Sequence, residues 1–128
     1  MKQVTGAVII RDSRVLIMRR SPNEAHAGFW EFPGGKIEKG EYPEACLFRE
    51  LKEELNIETK IIGYFCDSIY EYSDGCIQLL IYIVEILNGE ITLTVHDKLK
   101  WANKEDLLTI KLLPADIPVS KRIIEELL

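Results

Sequence analysis

The chain has 128 residues, 47% of them hydrophobic, and a formal net charge of −5, with a pI near 5.1. That length and apolar fraction suit a single domain over residues 1–128 with a real core. The acidic balance excludes a general affinity for nucleic-acid polymers or anionic membranes, both of which need a basic surface, so an anionic ligand would depend on local cations. In chain order, "QVTGAVII" and "RVLIMRR" are β-branched and apolar runs separated by Asp12-Ser13, which predicts two strands joined by a tight turn. "SPNEAHAGFWEFPGG" is rich in turn formers, and a loop of that length in a compact domain is more often functional than idle. From Glu41 to Leu55 the residues Leu47, Leu51 and Leu55 recur every fourth place with Phe48 beside them, the period of a helix with one buried stripe. Asn56 suits the left-handed residue that ends such a helix. "TKIIGYFCDSIYEY", "IQLLIYIVEI" and "EITLTV" read as strands of a mostly antiparallel sheet, with turns at Ser73-Asp74-Gly75 and at the hairpin-type pair Asn88-Gly89. "NKEDLL" reads as a short helix, and "DIPVSKRIIEELL" carries helical periodicity to the end. Strands mixed with two main helices, without regular βαβ alternation, predict an α+β fold.

Cys46, Cys66 and Cys76 form an odd set without C-x-x-C spacing, which predicts neither a disulfide framework nor a zinc site and suits a reducing, cytoplasmic setting. The opening "MKQVTGAVIIRDSRVLIMRR" is broken by Arg11, Asp12 and Arg14 and lacks the continuous apolar core of a signal peptide or membrane span, so a soluble protein is expected.

The helical segment carries Glu50, Glu53 and Glu54. At about 100° per residue these lie on adjoining lines, with Glu54 next to the Leu47 line and Glu53 farthest from it. Like charges so spaced repel, and a hard divalent cation with oxygen ligands would reverse that sign. The competing explanation is a solvated helix face, since Glu is a good helix former and Arg49 and Lys52 lie nearby. Gly34-Gly35 just upstream lets backbone approach a ligand closely, and Glu41 and Arg49 add a carboxylate and a cation to the same segment.

Gly35, Glu41, Arg49, Glu50, Leu51, Glu53, Glu54 and Ile57 resemble the signature of the Nudix hydrolases, G-x5-E-x7-R-E-U-x-E-E-x-G-U with U a bulky aliphatic. One position departs, Asn56 standing where the signature has glycine. The resemblance implies an α/β/α sandwich, with a mixed, largely antiparallel sheet between helices, and cleavage of a nucleoside diphosphate linked to another group, with Mg²⁺ or Mn²⁺. It implies that Glu53, Glu54 and the Gly34 carbonyl are metal ligands and that Glu50 is a ligand or the base for water. Arg49 would orient the carboxylates from behind, and Gly35 and Lys36 would lie on the substrate side.

"RRSPNEAHAGFWEFPGGKIEKGE", Trp101 and "LLPADIPV" further resemble the MutT-like branch and its CTP pyrophosphohydrolase relatives. That branch converts a nucleoside triphosphate to the monophosphate and pyrophosphate, acting as a monomer or homodimer on a small nucleotide. Arg20 would then reach the nucleotide and Phe32 would stack or pack against the base, against the plainer roles of surface arginine and core phenylalanine. Asp116 stands where readers of oxidised guanine have asparagine. A carboxylate there suits the 4-amino group of cytosine, and equally the N–H groups of guanine or the amino group of adenine, although Asp116 also fits as a cap for the last helix. A further metal-binding carboxylate of the branch falls here on Val95, which cannot ligate, and Asp97 is the nearby acid that would substitute for it, with His96 a polar residue at a strand end. Among other readings, ADP-ribose hydrolases carry a proline absent here between Pro43 and Pro114. Tyr70 and Tyr72 keep a dinucleoside polyphosphate hydrolase in view. A non-catalytic nucleotide sensor would have little need for the full glutamate set.

Overall fold

The computed structural model describes residues 1–128. The strands are β1 (Lys2–Val8), β2 (Ile10–Arg11), β3 (Arg14–Arg19), β4 (Trp30–Glu31), β5 (Glu58–Tyr72), β6 (Gly75–Asn88) and β7 (Lys98–Ala102). The helices are α1 (Pro43–Leu55), α2 (Lys104–Thr109) and α3 (Ile117–Glu126), the last preceded by a 3₁₀ turn at Pro114–Asp116. No helix is long and apolar enough to cross a membrane.

β6 lies between β1, to which it is parallel, and β5, to which it is antiparallel. β3 pairs antiparallel with β2, β4 and β7. "QVTGAVII" is therefore not one strand: the chain leaves the first sheet at Ile9 and enters the second as β2. Asp12 and Ser13 turn β2 into β3 with φ of 52° and 59°, the left-handed pair that matches the twist of a two-residue hairpin.

Alternation along the strands explains the layers. Val15 and Ile17 of β3, Val8 of β1 and Leu79 and Ile81 of β6 pack in one buried cluster with Val119 and Ile123 of α3. Leu16 and Met18, Ala7, and Tyr82 and Val84 of the same strands face the other way, onto Leu47, Leu51 and Leu55 of α1. Strands buried on both faces read as unbroken apolar runs, as "RVLIM" does. The result is strands layered between helices, with a mixed first sheet and an antiparallel second, the sandwich that the Nudix resemblance implied.

Three local expectations need correction. Phe48 is 46% exposed and lies off the buried stripe of α1. "EITLTV" is not a strand, and β6 ends at the Asn88-Gly89 pair without a hairpin. Its amides go instead to the end of α1, Thr92 N–H to the Leu55 carbonyl (2.9 Å) and Thr94 N–H to that of Glu54 (3.3 Å). The Thr94 hydroxyl donates to the carbonyls of Glu53 and Glu54 at 3.2 and 3.1 Å. A helix end leaves four carbonyls without intrahelical partners, and here they compete successfully for the strand-like segment. Asp116, finally, makes no side-chain cap to α3.

Candidate active site

Residues 33–37 run antiparallel to β1: Ala7 N–H donates to the Pro33 carbonyl and Thr5 N–H to that of Gly35, both at 2.8 Å, and Ile37 N–H to that of Gln3 at 3.0 Å. This zipper fixes the glycine pair before α1. The Gly34 carbonyl accepts none of the backbone bonds outside the regular elements. A Cβ on Gly34 would stand 2.1 Å from the Thr5 carbonyl oxygen, and one on Gly35 2.2 Å from Cδ of Glu50. The close approach inferred from the glycines is thus made by β1 on one side and by the Glu50 carboxylate on the other.

Helix α1 then presents its acids by depth. Its C-cap Asn56 takes φ 58°, ψ 38°, so the departure from glycine leaves the left-handed terminus intact. Glu54 and Glu50 are only 16% and 14% exposed in their side chains, whereas Glu53 is 59% exposed. Arg49 organises the outer side. It donates to both carboxylate oxygens of Glu41, at 2.7 and 2.9 Å, and its Nη1 to Glu50 at 3.0 Å and Glu53 at 3.2 Å. That fork holds Glu41 down to a pKa of about 2, with the Glu38 amide assisting. Glu54 moves oppositely, to about 9, because burial disfavours its charge and the carboxyls of Glu50 and Glu31 stand close, against a weaker opposing pull from Arg20.

A cavity of about 750 Å³ opens beside Glu54. Arg20, Phe32, Gly34, Gly35, Lys36 and Asp116 all line it. Arg49, Glu50 and Glu53 do not line it; they stand behind Glu54 on α1. Arg20 donates to the Ala25 carbonyl (2.5 Å) and to Glu31 (3.0 Å), pinning the long loop after β3 against β4. Phe32 is 4% exposed and belongs mainly to the core. Aromatic surface at the cavity comes also from Tyr72, whose hydroxyl accepts from Ala115 N–H at 3.0 Å, with the His26 ring 5.2 Å away. Asp116 is buried, and burial followed by the nearby Glu31 charge raises its carboxyl well above the ordinary range, with the Phe32 amide and Arg20 opposing.

Asp97 does not take the place of the carboxylate missing at Val95. Both its oxygens are held by Arg19, at 2.9 and 2.8 Å. The residue brought to the site is His96, its side chain only 5% exposed, with Nε2 2.8 Å from Glu31 Oε2 and Nδ1 3.7 Å from Glu54 Oε2. Glu31 and His96 are the site residues the sequence left unread. They lie 65 positions apart and share no motif, so only tertiary structure joins them.

The donor set suits a divalent cation. Glu54 Oε2 and His96 Nδ1 are buried polar atoms without hydrogen-bond partners, and two carboxyls held in contact would both gain from a positive charge. No three His, Cys, Asp or Glu side chains close a cation site by themselves. The remaining coordination would fall to backbone, water and substrate oxygens, as is usual for Mg²⁺.

Comparison with known proteins identifies the family. The chain is 38% identical over 119 residues to the CTP pyrophosphohydrolase of Escherichia coli K12, an alignment covering 93% of this chain and 88% of that protein. It is 36% identical over 126 residues to the 8-oxo-dGTP diphosphatase of the same organism, covering 96% and 98%. The crystal structure of a MutT Nudix hydrolase from Burkholderia pseudomallei superposes with a TM-score of 0.83 at 26% identity, over 99% of this chain and 98% of that one. The NUDIX domain profile matches residues 1–127; the chain therefore belongs to the Nudix family of hydrolases, enzymes of the phosphoanhydride bond.

Proposed function

We propose that the protein is a divalent-metal-dependent nucleoside triphosphate pyrophosphohydrolase, converting a triphosphate and water to the monophosphate and pyrophosphate, with a preference for cytosine-type bases. The observation that carries this reading is Glu54, a mostly buried carboxyl pressed against Glu50 with one oxygen unpartnered beside the cavity. Glu54, Glu53, Glu50 and the Gly34 carbonyl would hold Mg²⁺ or Mn²⁺. When bound, such an ion neutralises phosphate charge and lowers the pKa of a bound water.

The chain's own groups supply the rest. Glu50, fixed by Arg49 and walled by Gly35 behind Glu54, would be either a further ligand or the base that takes the proton of the attacking water as its oxygen displaces the pyrophosphate group. Arg49 keeps Glu50 and Glu53 from drifting into solvent. Lys36 and Arg20 put positive charge on the cavity wall, where an anionic chain must enter an otherwise acidic protein. Asp116 lies in the same cavity as the base-reading group. Burial, followed by the nearby Glu31, pushes its carboxyl above the ordinary range, and its oxygens supply acceptors for the 4-amino group of cytosine.

Pyrophosphate release in Mg²⁺ from a panel of ordinary, methylated and oxidised triphosphates tests class and base together. Expected is turnover of CTP, dCTP and 5-methyl-dCTP, abolished in Glu53→Gln and Glu54→Gln while circular dichroism shows an intact fold. Nucleotide binding without pyrophosphate release, or full activity in Glu54→Gln, would overturn it. Oxidised dGTP turned over far better than the cytidine nucleotides would favour the second reading, an oxidised-dGTP diphosphatase, which the 36% identity to the 8-oxo-dGTP diphosphatase supports.

A further inference from the structure

His96 is nearly solvent-free, yet only one of its ring nitrogens is satisfied. Nε2 stands 2.8 Å from Glu31 Oε2, which also accepts from Arg20 at 3.0 Å. A carboxylate so placed takes the ring's N–H, and in the neutral ring Nδ1 is then left bare, as a metal-binding nitrogen must be. Nδ1 faces Glu54 Oε2, the other buried atom without a partner, at 3.7 Å. That gap is long for a direct hydrogen bond, but it admits one cation bonded to both atoms at about 2.1 Å. Two orphaned buried atoms aimed at one point, one of them braced from behind by a carboxylate, call for a shared partner.

We propose that His96 is itself a metal ligand, its Nδ1 and Glu54 Oε2 taking the same divalent cation while Glu31, held by Arg20, orients the imidazole. This rests on the reading of the α1 carboxylates as a cation site and adds a nitrogen to an otherwise all-oxygen set. The strap from Glu90 to Asp97 delivers that nitrogen where Val95 cannot serve and Asp97 is committed to Arg19. An imidazole ligand shifts preference toward borderline ions such as Co²⁺ relative to Mg²⁺, which favours oxygen.

The test is pulsed electron paramagnetic resonance of Mn²⁺ bound to the wild-type protein, with and without ¹⁵N-labelled histidine. A directly bound histidine nitrogen is expected, kept in His26→Gln and lost in His96→Gln; the chain's only other histidine is thereby excluded. Titration calorimetry should show His96→Gln binding Co²⁺ about 10- to 100-fold more weakly, with a smaller change for Mg²⁺, and Glu31→Gln following in the same direction. Absence of histidine coupling at saturating Mn²⁺ in the wild type overturns the proposal, and that measurement does not depend on any variant folding. Coupling without pyrophosphate release would refute the enzymatic reading and leave the His96 site standing; release without coupling would do the reverse.

Discussion

Two adjacent glycines meet different neighbours, and the difference separates stability from catalysis. A Cβ on Gly35 collides with the far end of a side chain, Cδ of Glu50 at 2.2 Å, whereas one on Gly34 collides with backbone, the Thr5 carbonyl oxygen at 2.1 Å. A carboxylate can swing away, but a strand carbonyl cannot. With Glu50 in the role proposed for it, Gly35→Ala is therefore expected to unfold at nearly the wild-type urea midpoint while losing activity roughly 100-fold, the usual cost of displacing a reacting group by about 1 Å. Gly34→Ala should instead lower stability by roughly 1–3 kcal/mol, since the zipper to β1 must open. Urea unfolding and pyrophosphate release on both variants check this, and equal stability losses would contradict the distinction. The glycines, the three glutamates and Arg49 were legible because their spacing is local to one loop and helix. Glu31 and His96 were not, because each is unremarkable in its own segment and they gain meaning only where β4 and the strap before β7 converge on Glu54.

Helix α1 was readable as an element because its stripe repeats every four residues; the strap at 90–97 was misread because its competitor for hydrogen bonds is distant in sequence. "EITLTV" after Asn-Gly has every local mark of a strand. Yet the carbonyls of Glu53, Glu54 and Leu55 accept from Thr92 and Thr94, and that pairing both finishes the helix and sets His96 beside Glu54. Gly89 permits the docking, because a Cβ there would meet the Asn56 carbonyl oxygen at 2.6 Å. Thr94→Val keeps the shape and the amide but removes the hydroxyl that two helix carbonyls share. It is expected to cost about 1 kcal/mol and to raise amide exchange across the strap more than in α1. Divalent-ion affinity should fall with it, as positioning of His96 loosens. Unchanged exchange in residues 90–97 would show that the backbone bonds alone hold the strap.

Across the whole molecule, alternation in β1, β3 and β6 divides the interior into a core under α1 and another under α3, and the acid-lined cavity opens against Phe32, Leu79 and Ala115 of the second. Runs such as "RVLIM" marked strands and the Nudix resemblance implied the sandwich; the chain's exit from one sheet to another at Ile9 was not legible, because nothing local marks it. The arrangement produces two opposing responses to pH. At the surface, Arg49 depresses Glu41 to about 2, Arg19 depresses Asp97, and Arg122 depresses Glu126. A depressed carboxyl contributes stability above its unfolded pKa and loses it as pH falls through the folded value, so these three add a small, solvent-screened loss of stability in acid. Glu54 and Asp116 have the opposite sign. Burial raises both, so in the folded state they bind protons that the unfolded chain has released, and their contribution declines as pH rises from about 4.5 toward the value near 9 for Glu54. With EDTA present, stability is expected to be greatest near pH 5 and to fall by roughly 1–3 kcal/mol by pH 8, the scale of a poorly satisfied buried polar group. Glu54→Gln combined with Asp116→Asn should flatten the fall, and Mg²⁺ should restore the wild type at pH 8 by binding Glu54 in its charged form, while leaving the double variant unchanged. Thermal or urea melts between pH 4.5 and 9 decide the matter: an EDTA-treated wild type that grows more stable from pH 5 to 8 would mean these carboxyls are not held in proton-binding surroundings.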